Sequence, residues 1–171
     1  LTLRDRLVGY LPRYADLAAR LAPFSNLRNN SPLLRYWFER IAGISARRTL
    51  PAFRRETFRP GTETFGPADG REVVLFADTF NRIYERENLD AALRVLTAGG
   101  YRVHLPKPAN GSRPLCCGRT FLSAGLVDEA IVELDRLVAA FAPLAARGVP
   151  IVGLGPRRLP TLRPGLSSPR S

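Results

Sequence analysis

The clearest pattern along the chain is an alternation of apolar runs with stretches of helical periodicity. Residues 73–77 form a continuous apolar run, which is typical of a strand buried on both faces. Apolar positions at helical spacing follow over residues 89–96, and a second strand is predicted over residues 101–105. Residues 127–141 then predict a long amphipathic helix, and residues 149–154 a third strand.

This order fits a right-handed βαβ crossover. We therefore predict an α/β fold: a small three-layer domain with a short, mainly parallel sheet, preceded by an α-helical connector. Asn88 is the predicted N-cap of the helix between the first two strands, and Gly99-Gly100 its end. Pro143 predicts a kink near the end of the long helix.

The first 48 residues read as helical but are interrupted. Pro12 predicts a break, and Ser31-Pro32 is a strong helix start, which Gly43 closes. Trp37 lies on the apolar face of that helix, where core or interface packing is the more frequent role for tryptophan than stacking on a ligand.

Four regions follow from these patterns. Residues 1–48 form the helical connector, and residues 49–70, rich in Pro and Gly, form a linker whose phenylalanines pin it to a surface. Residues 71–163 form the compact α/β domain. Residues 164–171, rich in Pro, Ser and Arg, are predicted to be a disordered tail.

Composition narrows the function. Apolar residues make up 45% of the 171-residue chain, which is ample for a core. The net charge of +11 would suit nucleic acid, but the basic residues are spread along the chain, so no nucleic-acid binding is expected. No apolar run is long enough to span a membrane, although peripheral association stays open. Since the chain begins with Leu1 and has no methionine, we interpret it as a piece of a longer polypeptide.

The only two cysteines, Cys116 and Cys117, are adjacent and precede Gly118. Neighbouring cysteines do not form an ordinary disulfide framework, which indicates a reducing compartment. They lie on a loop between a strand end and a helix start, where ligands collect in open α/β sheets. Asp78 and Thr79, at the end of the first strand, can face the same crevice. The alternatives are that the thiols pack as small hydrophobes and that Asp78 caps a turn.

Little else in the sequence carries chemistry. No catalytic triad order, phosphate-binding loop or dinucleotide fingerprint is present. The sole histidine, His104, is more often a satisfied core or edge residue than a ligand at such a position. The chain by itself is therefore not expected to be catalytically active.

Four segments together carry a likeness to a known family: VVLFADTFN over residues 73–81, GYRV over 100–103, LCCGR over 115–119 and GLVDEA over 125–130. They resemble the cysteine-rich CCG domain found in heterodisulfide reductases, in iron–sulfur subunits of glycolate oxidase and in FAD-linked oxidases. The resemblance implies a cytoplasmic electron-transfer domain of a flavin-linked 2-hydroxy-acid oxidoreductase. It also implies an iron–sulfur cluster held by Cys116 and Cys117, with FAD in a partner flavoprotein domain or subunit and an upstream ferredoxin-type domain.

The full family pattern has one more cysteine before the CCG motif and another after it. The earlier position falls near Asp78-Thr79, and the later one falls at Arg158, where arginine replaces the cysteine. The cofactor-binding residues that the resemblance implies are therefore Asp78, Thr79, Gly118 and Arg158. Because two cysteines of the family pattern are missing, the set of cluster ligands in this chain is incomplete. The competing hypotheses are a structural or docking module that has lost its cluster and, from another class, a basic nucleic-acid-binding module.

Overall fold

The computed structural model describes residues 1–59, 61–108 and 113–154. It is an α/β structure in which a four-stranded mixed sheet carries the order β1-β3-β2-β4. The strands are β1 (Thr64–Phe65), β2 (Arg71–Phe76), β3 (Tyr101–His104) and β4 (Ile151–Gly153). The helices are α1 (Leu3–Gly9), α2 (Leu11–Arg20), α3 (Ala22–Ser25), α4 (Leu27–Asn30), α5 (Pro32–Ala42), α6 (Thr79–Ile83), α7 (Arg86–Ala98), α8 (Arg119–Ser123) and α9 (Val127–Ala145).

The three predicted strands are all present and all parallel. The central strand β2 pairs with β3 on one side, where Val73 lies opposite Val103, and with β4 on the other, where Leu75 lies opposite Val152. Because β2 is central, all of Val73, Val74, Leu75 and Phe76 are buried, as the continuous apolar run predicted.

The two faces of the sheet are covered by different helices. On one face α7 packs Leu89 against Val73, Leu75 and Val103. On the other, α9 packs Leu137 and Phe141 against Val74 and Phe76. The helix, sheet and helix make the three layers expected from the sequence.

The N-terminal helices form a separate patch of packing against the α/β part. Ala15 and Ala19 of α2 are buried together with Ile83 of α6. The chain breaks between α1 and α2, with Pro12 in the first turn of α2, as predicted. Ser31 caps α5 and Gly43 ends it in the left-handed conformation, so both predicted boundaries are confirmed.

One helix boundary differs from the expectation. The helix before β3 begins at Arg86, with Glu85 at its N-cap, so the assignment of Asn88 as the cap was wrong; Asn88 lies inside the first turn. Pro143 lies inside α9, which continues to Ala145, and the kink there stays a prediction. Trp37 is 52% exposed, so of its two expected roles core packing is excluded and interface packing stays a prediction.

The predicted linker is more ordered than its sequence suggested. Phe58 is buried in the core beside α7, and Phe65 packs against the same cluster. Residues Thr64–Phe65 form an antiparallel edge strand on β3, in which Thr64 lies opposite His104. No helix in the described part of the chain has the length and apolar character needed to cross a membrane.

Candidate functional site

A cavity of about 360 Å³ lies at the carboxyl end of β2, beside the loop that carries the cysteines. We call it the thiol cavity. It is lined by Val8, Asp78, Thr79, Phe80, Cys116, Cys117, Arg119, Thr120 and Ser123. The structure thus brings both cysteines together with the two residues predicted to share their crevice.

Gly118 fixes the position of the cysteine loop. Its φ of +72° is left-handed, and it begins α8 directly after the thiols. A Cβ at this position would lie 2.7 Å from the carbonyl oxygen of Ala130 in α9. The loop therefore rests on the backbone of α9, and only glycine allows that approach.

The two thiols differ in exposure and in protonation. Cys116 is 5% exposed, while Cys117 is partly exposed in the cavity. A hydrogen bond with the Cys116 thiol, the largest effect, lowers the pKa of Cys117 to about 6, and the Arg119 backbone N–H helps against the opposing effect of burial. The same hydrogen bond, followed by burial, raises the pKa of Cys116. The opposite directions of the two pKa shifts favour the thiolate at Cys117 over the thiolate at Cys116.

The Asp78 carboxylate has a structural task. It is the N-cap of α6, and its Oδ1 accepts from the backbone N–H of Phe80 at 3.0 Å and of Asn81 at 3.3 Å. Its Oδ2 accepts from the Asn81 side-chain amide. The cap is the alternative that the sequence left open for Asp78, and it is realised within the cavity wall.

Thr79 is buried and links this cap to the thiols. Its hydroxyl forms a hydrogen bond with Cys116, which acts to lower the pKa of that thiol against the larger effects described above. The turn from β2 into α6 therefore holds two site residues, one capping the helix and the next contacting a cysteine.

One residue considered from the sequence does not join the thiols. His104 lies on β3 with its Nε2 3.0 Å from Glu72 Oε1, as a satisfied histidine outside the thiol cavity. Arg158, the other, lies outside the described residues.

Five lining residues were not anticipated. Arg119, Thr120 and Ser123 come from α8, Phe80 comes from α6, and Val8 comes from α1 in the N-terminal segment. The Thr120 Oγ1 is buried and has no hydrogen-bond partner among the described residues. Its position in the first turn of a helix, two residues after Gly118, was the available sequence signal. The contribution of α1 depends on tertiary packing alone.

The donor set does not fit a complete iron–sulfur cluster. Such clusters normally take four cysteine thiolates, and this chain has two cysteines in all. Within the described residues, no three His, Cys, Asp or Glu side chains gather where they could hold a metal ion. Two soft thiolates can contribute to an iron or zinc site only if other ligands come from elsewhere.

Comparisons of this chain with protein-family models, with curated proteins and with solved structures gave no match.

Proposed function

We propose that this chain is an electron-transfer domain of a flavin-linked 2-hydroxy-acid oxidoreductase, with Cys116 and Cys117 as its working thiols. The observation that carries the proposal is the placement of both cysteines, with Cys117 partly exposed, in a cavity at the carboxyl end of the central strand. The lowered pKa of Cys117 supports it. The sequence resemblance to the CCG domain supplies the parent enzyme and its partners, a flavoprotein part and a ferredoxin-type part.

The roles that we propose for the two cysteines depend on their sharing a single proton. Cys117 is the thiolate, and a thiolate is the form that reacts or ligates a soft metal. Cys116 is buried beneath it and donates the hydrogen bond that keeps Cys117 charged. Because the chain supplies two thiolates where a cluster needs four, a cluster at this position would require ligands from the partner parts, and no step is assigned to one here.

The direct test is the pH dependence of alkylation at each cysteine, followed by mass spectrometry on the full chain. We expect Cys117 to react with iodoacetamide with a midpoint near pH 6, falling below it as the thiolate is protonated, whereas an ordinary cysteine has a pKa of about 8.5. Cys116→Ala removes the donor and should move the midpoint toward the ordinary value. Reaction of both cysteines only above the ordinary pKa would contradict the proposal.

The role in electron transfer is tested in the enzyme assembled with its flavoprotein part. Cys117→Ser should leave reduction of the flavin by a 2-hydroxy acid unchanged and abolish transfer from the flavin to an acceptor. Loss of both half-reactions would indicate misassembly, and retention of both would remove the thiols from the electron path.

A structural or docking module is the second candidate, and a specific feature favours it. Large apolar side chains stay exposed along the N-terminal helices, among them Phe24, Leu33, Trp37 and Ile41. Such a face is typical of a surface that another domain covers. If this is the whole function, both cysteine variants retain full turnover, while Trp37→Asp prevents assembly with the flavoprotein part.

A further inference from the structure

A second cavity, of about 500 Å³, opens at the carboxyl ends of β2 and β3. Leu75, Phe76 and Ala77 of the β2 end line it, as does Leu105 after β3. The chain leaves β2 toward α7 on one face and leaves β3 toward α9 on the other. The crevice between two such diverging connections is where open α/β sheets bind ligands. None of its lining residues is shared with the thiol cavity.

The walls of this cavity are strongly basic, and we call it the basic cavity. Its cationic lining residues are Arg13, Arg20, Arg59, Arg82, Lys107 and Arg113, and Asp16 is the one acidic side chain among the described lining residues. Cations gathered from α2, α6 and the loops after β3 thus surround one opening. Basic residues are spread along the sequence, and folding brings these six together around the basic cavity.

Some of these charges are neutralised and others are not. The guanidinium of Arg82 donates to both oxygens of Asp16, at 2.8 and 2.7 Å. Arg13 and Arg113 pair with Glu129 and Glu133 outside the cavity. Arg20 and Arg59 have no carboxylate within 4.0 Å in the described part of the chain, where the Nε of Arg59 donates to the Thr57 hydroxyl at 3.0 Å. The uncompensated positive charge therefore lies at Arg20 and Arg59.

The charge around Asp16 supports a positive cavity wall. Arg82 is 6% exposed and is held by Asp16 through both of its terminal nitrogens. Burial pushes the pKa of Asp16 upward, but the hydrogen bond and charge of Arg82, with the charges of Arg59 and Arg20, hold that pKa below its usual value. The local potential is accordingly positive.

The floor of the cavity is apolar. Phe58, Leu75, Leu105 and Phe141 line it, and all four are buried members of the two core clusters beside the sheet. A cavity of this size suits a small molecule, since ligand sites combine a mainly apolar lining with a few placed polar groups. The combination selects a ligand with an anionic head and an apolar body.

We propose that the basic cavity binds a small organic anion, whose carboxylate or phosphate group lies between Arg20 and Arg59 and whose apolar body rests on Phe58 and Leu105. Arginine suits both head groups because its planar fork matches their oxygens. The inference does not depend on the proposed electron-transfer function, since it involves none of the residues of the thiol cavity. Its failure would leave the cysteine alkylation test unaffected.

The test is calorimetric titration of the full chain with four probes: phenyl phosphate, benzoate, inorganic phosphate and the neutral analogue benzamide. We expect saturable binding of phenyl phosphate, benzoate or both, with inorganic phosphate weaker because it lacks the apolar body, and no binding of benzamide. Tighter binding of phenyl phosphate identifies a phosphate ligand, and tighter binding of benzoate a carboxylate. Equal binding of benzamide, or no saturable binding of either aromatic anion, overturns the proposal.

Variants at exposed positions keep the fold intact during this test. Arg59→Gln and Arg20→Gln should each weaken anion binding about tenfold or more, the loss expected when a hydrogen bond to a charged group is removed. Arg55→Gln is the matched control, because Arg55 is exposed on the same segment and does not line the basic cavity. An equal loss in Arg55→Gln would show diffuse attraction to a cationic protein and would also overturn the assigned site.

Discussion

The thiol cavity and the basic cavity are formed by the same two stretches of chain, yet they differ in chemistry. After β2, Ala77 lines the basic cavity and Asp78, the next residue, lines the thiol cavity. In the cysteine loop, Leu115 faces the first and Cys116 the second. Successive residues of an extended backbone point to opposite sides, so one sheet edge serves two separate environments.

The walls of the two cavities are also held in place by different interactions. The thiol cavity depends on backbone geometry: a left-handed Gly118 and a helix cap at Asp78 hold its walls. The basic cavity depends on ion pairs, in which three of its arginines, Arg13, Arg82 and Arg113, are held by carboxylates. Mutations should therefore affect the two sites by different physical mechanisms, and the expected losses in stability differ in size.

Removing the charge of Glu133, which holds arginines of the basic cavity, should cause the largest loss of stability. Glu133 is fully buried; its oxygens accept from Arg113 and, at 2.7 Å, from Arg136, and Arg13 lies 3.7 Å away. Glu133→Gln leaves these guanidinium groups facing a neutral amide, and we expect a loss of about 3–5 kcal/mol in the free energy of unfolding. Urea denaturation measures it.

Glu129→Gln is the matched control for that variant. Glu129 lies on α9, as Glu133 does, and pairs with Arg13 of α2. Its side chain is 31% exposed, and exposed ion pairs contribute little to stability. A loss in Glu129→Gln as large as that in Glu133→Gln would contradict the assignment of the effect to burial.

Gly118→Ala, in the wall of the thiol cavity, should cause the next largest loss of stability. The added Cβ meets the Ala130 backbone, whereas in Gly43→Ala it meets nothing within 4 Å at a similar φ of +65°. Both variants place alanine in a left-handed conformation, at about 1–2 kcal/mol. The clash should make Gly118→Ala worse by a further ~1–3 kcal/mol. Equal losses in thermal or urea unfolding would show that the loop moves away from α9 freely.

Asp78→Ala should cost less, because it removes one helix cap. We expect a loss of about 0.5–2 kcal/mol, the usual range for a lost N-cap, since the backbone N–H groups of Phe80 and Asn81 lose their acceptor. Asp78→Asn keeps an acceptor oxygen and should recover most of the stability. If Asn were as damaging as Ala, the charge of Asp78, rather than its cap, would be what the site requires.

The sequence predicted the parallel sheet because its signals are local. The apolar run of β2, Ser31 before Pro32, and Gly43 after α5 each determine a few neighbouring residues. The two-residue strand β1 was missed since its only support is pairing with β3, some forty residues later. Asn88 was misplaced as a cap because Asn suits that position in general, while the first turn of α7 here begins after Glu85.

The same contrast between local signals and contacts of distant residues applies to the candidate site. Asp78, Thr79, Cys116 and Cys117 were expected near one another because strand ends in a parallel sheet share an edge, and they line one cavity. The basic cavity could not be foreseen. Its cations come from distant points such as Arg13 and Arg113, and their approach depends on how α2 packs against α6.

The smallest expected effect distinguishes the two threonines of the thiol cavity. The Thr120 hydroxyl is buried and has no partner in the described chain, whereas the Thr79 hydroxyl bonds to Cys116. Replacing an unpaired hydroxyl by a methyl group of the same shape removes no hydrogen bond, so Thr120→Val should change the free energy of unfolding by less than about 0.5 kcal/mol.

Thr79→Val provides the comparison, and it should lose about 1 kcal/mol because it removes a buried hydrogen bond. It should also shift the alkylation midpoint of the thiol pair, which Thr120→Val should not do. If Thr120→Val destabilised the protein as much as Thr79→Val, the Thr120 hydroxyl would have a partner in solution, and water within the thiol cavity would be the first candidate, because a polar cavity of this size can hold it.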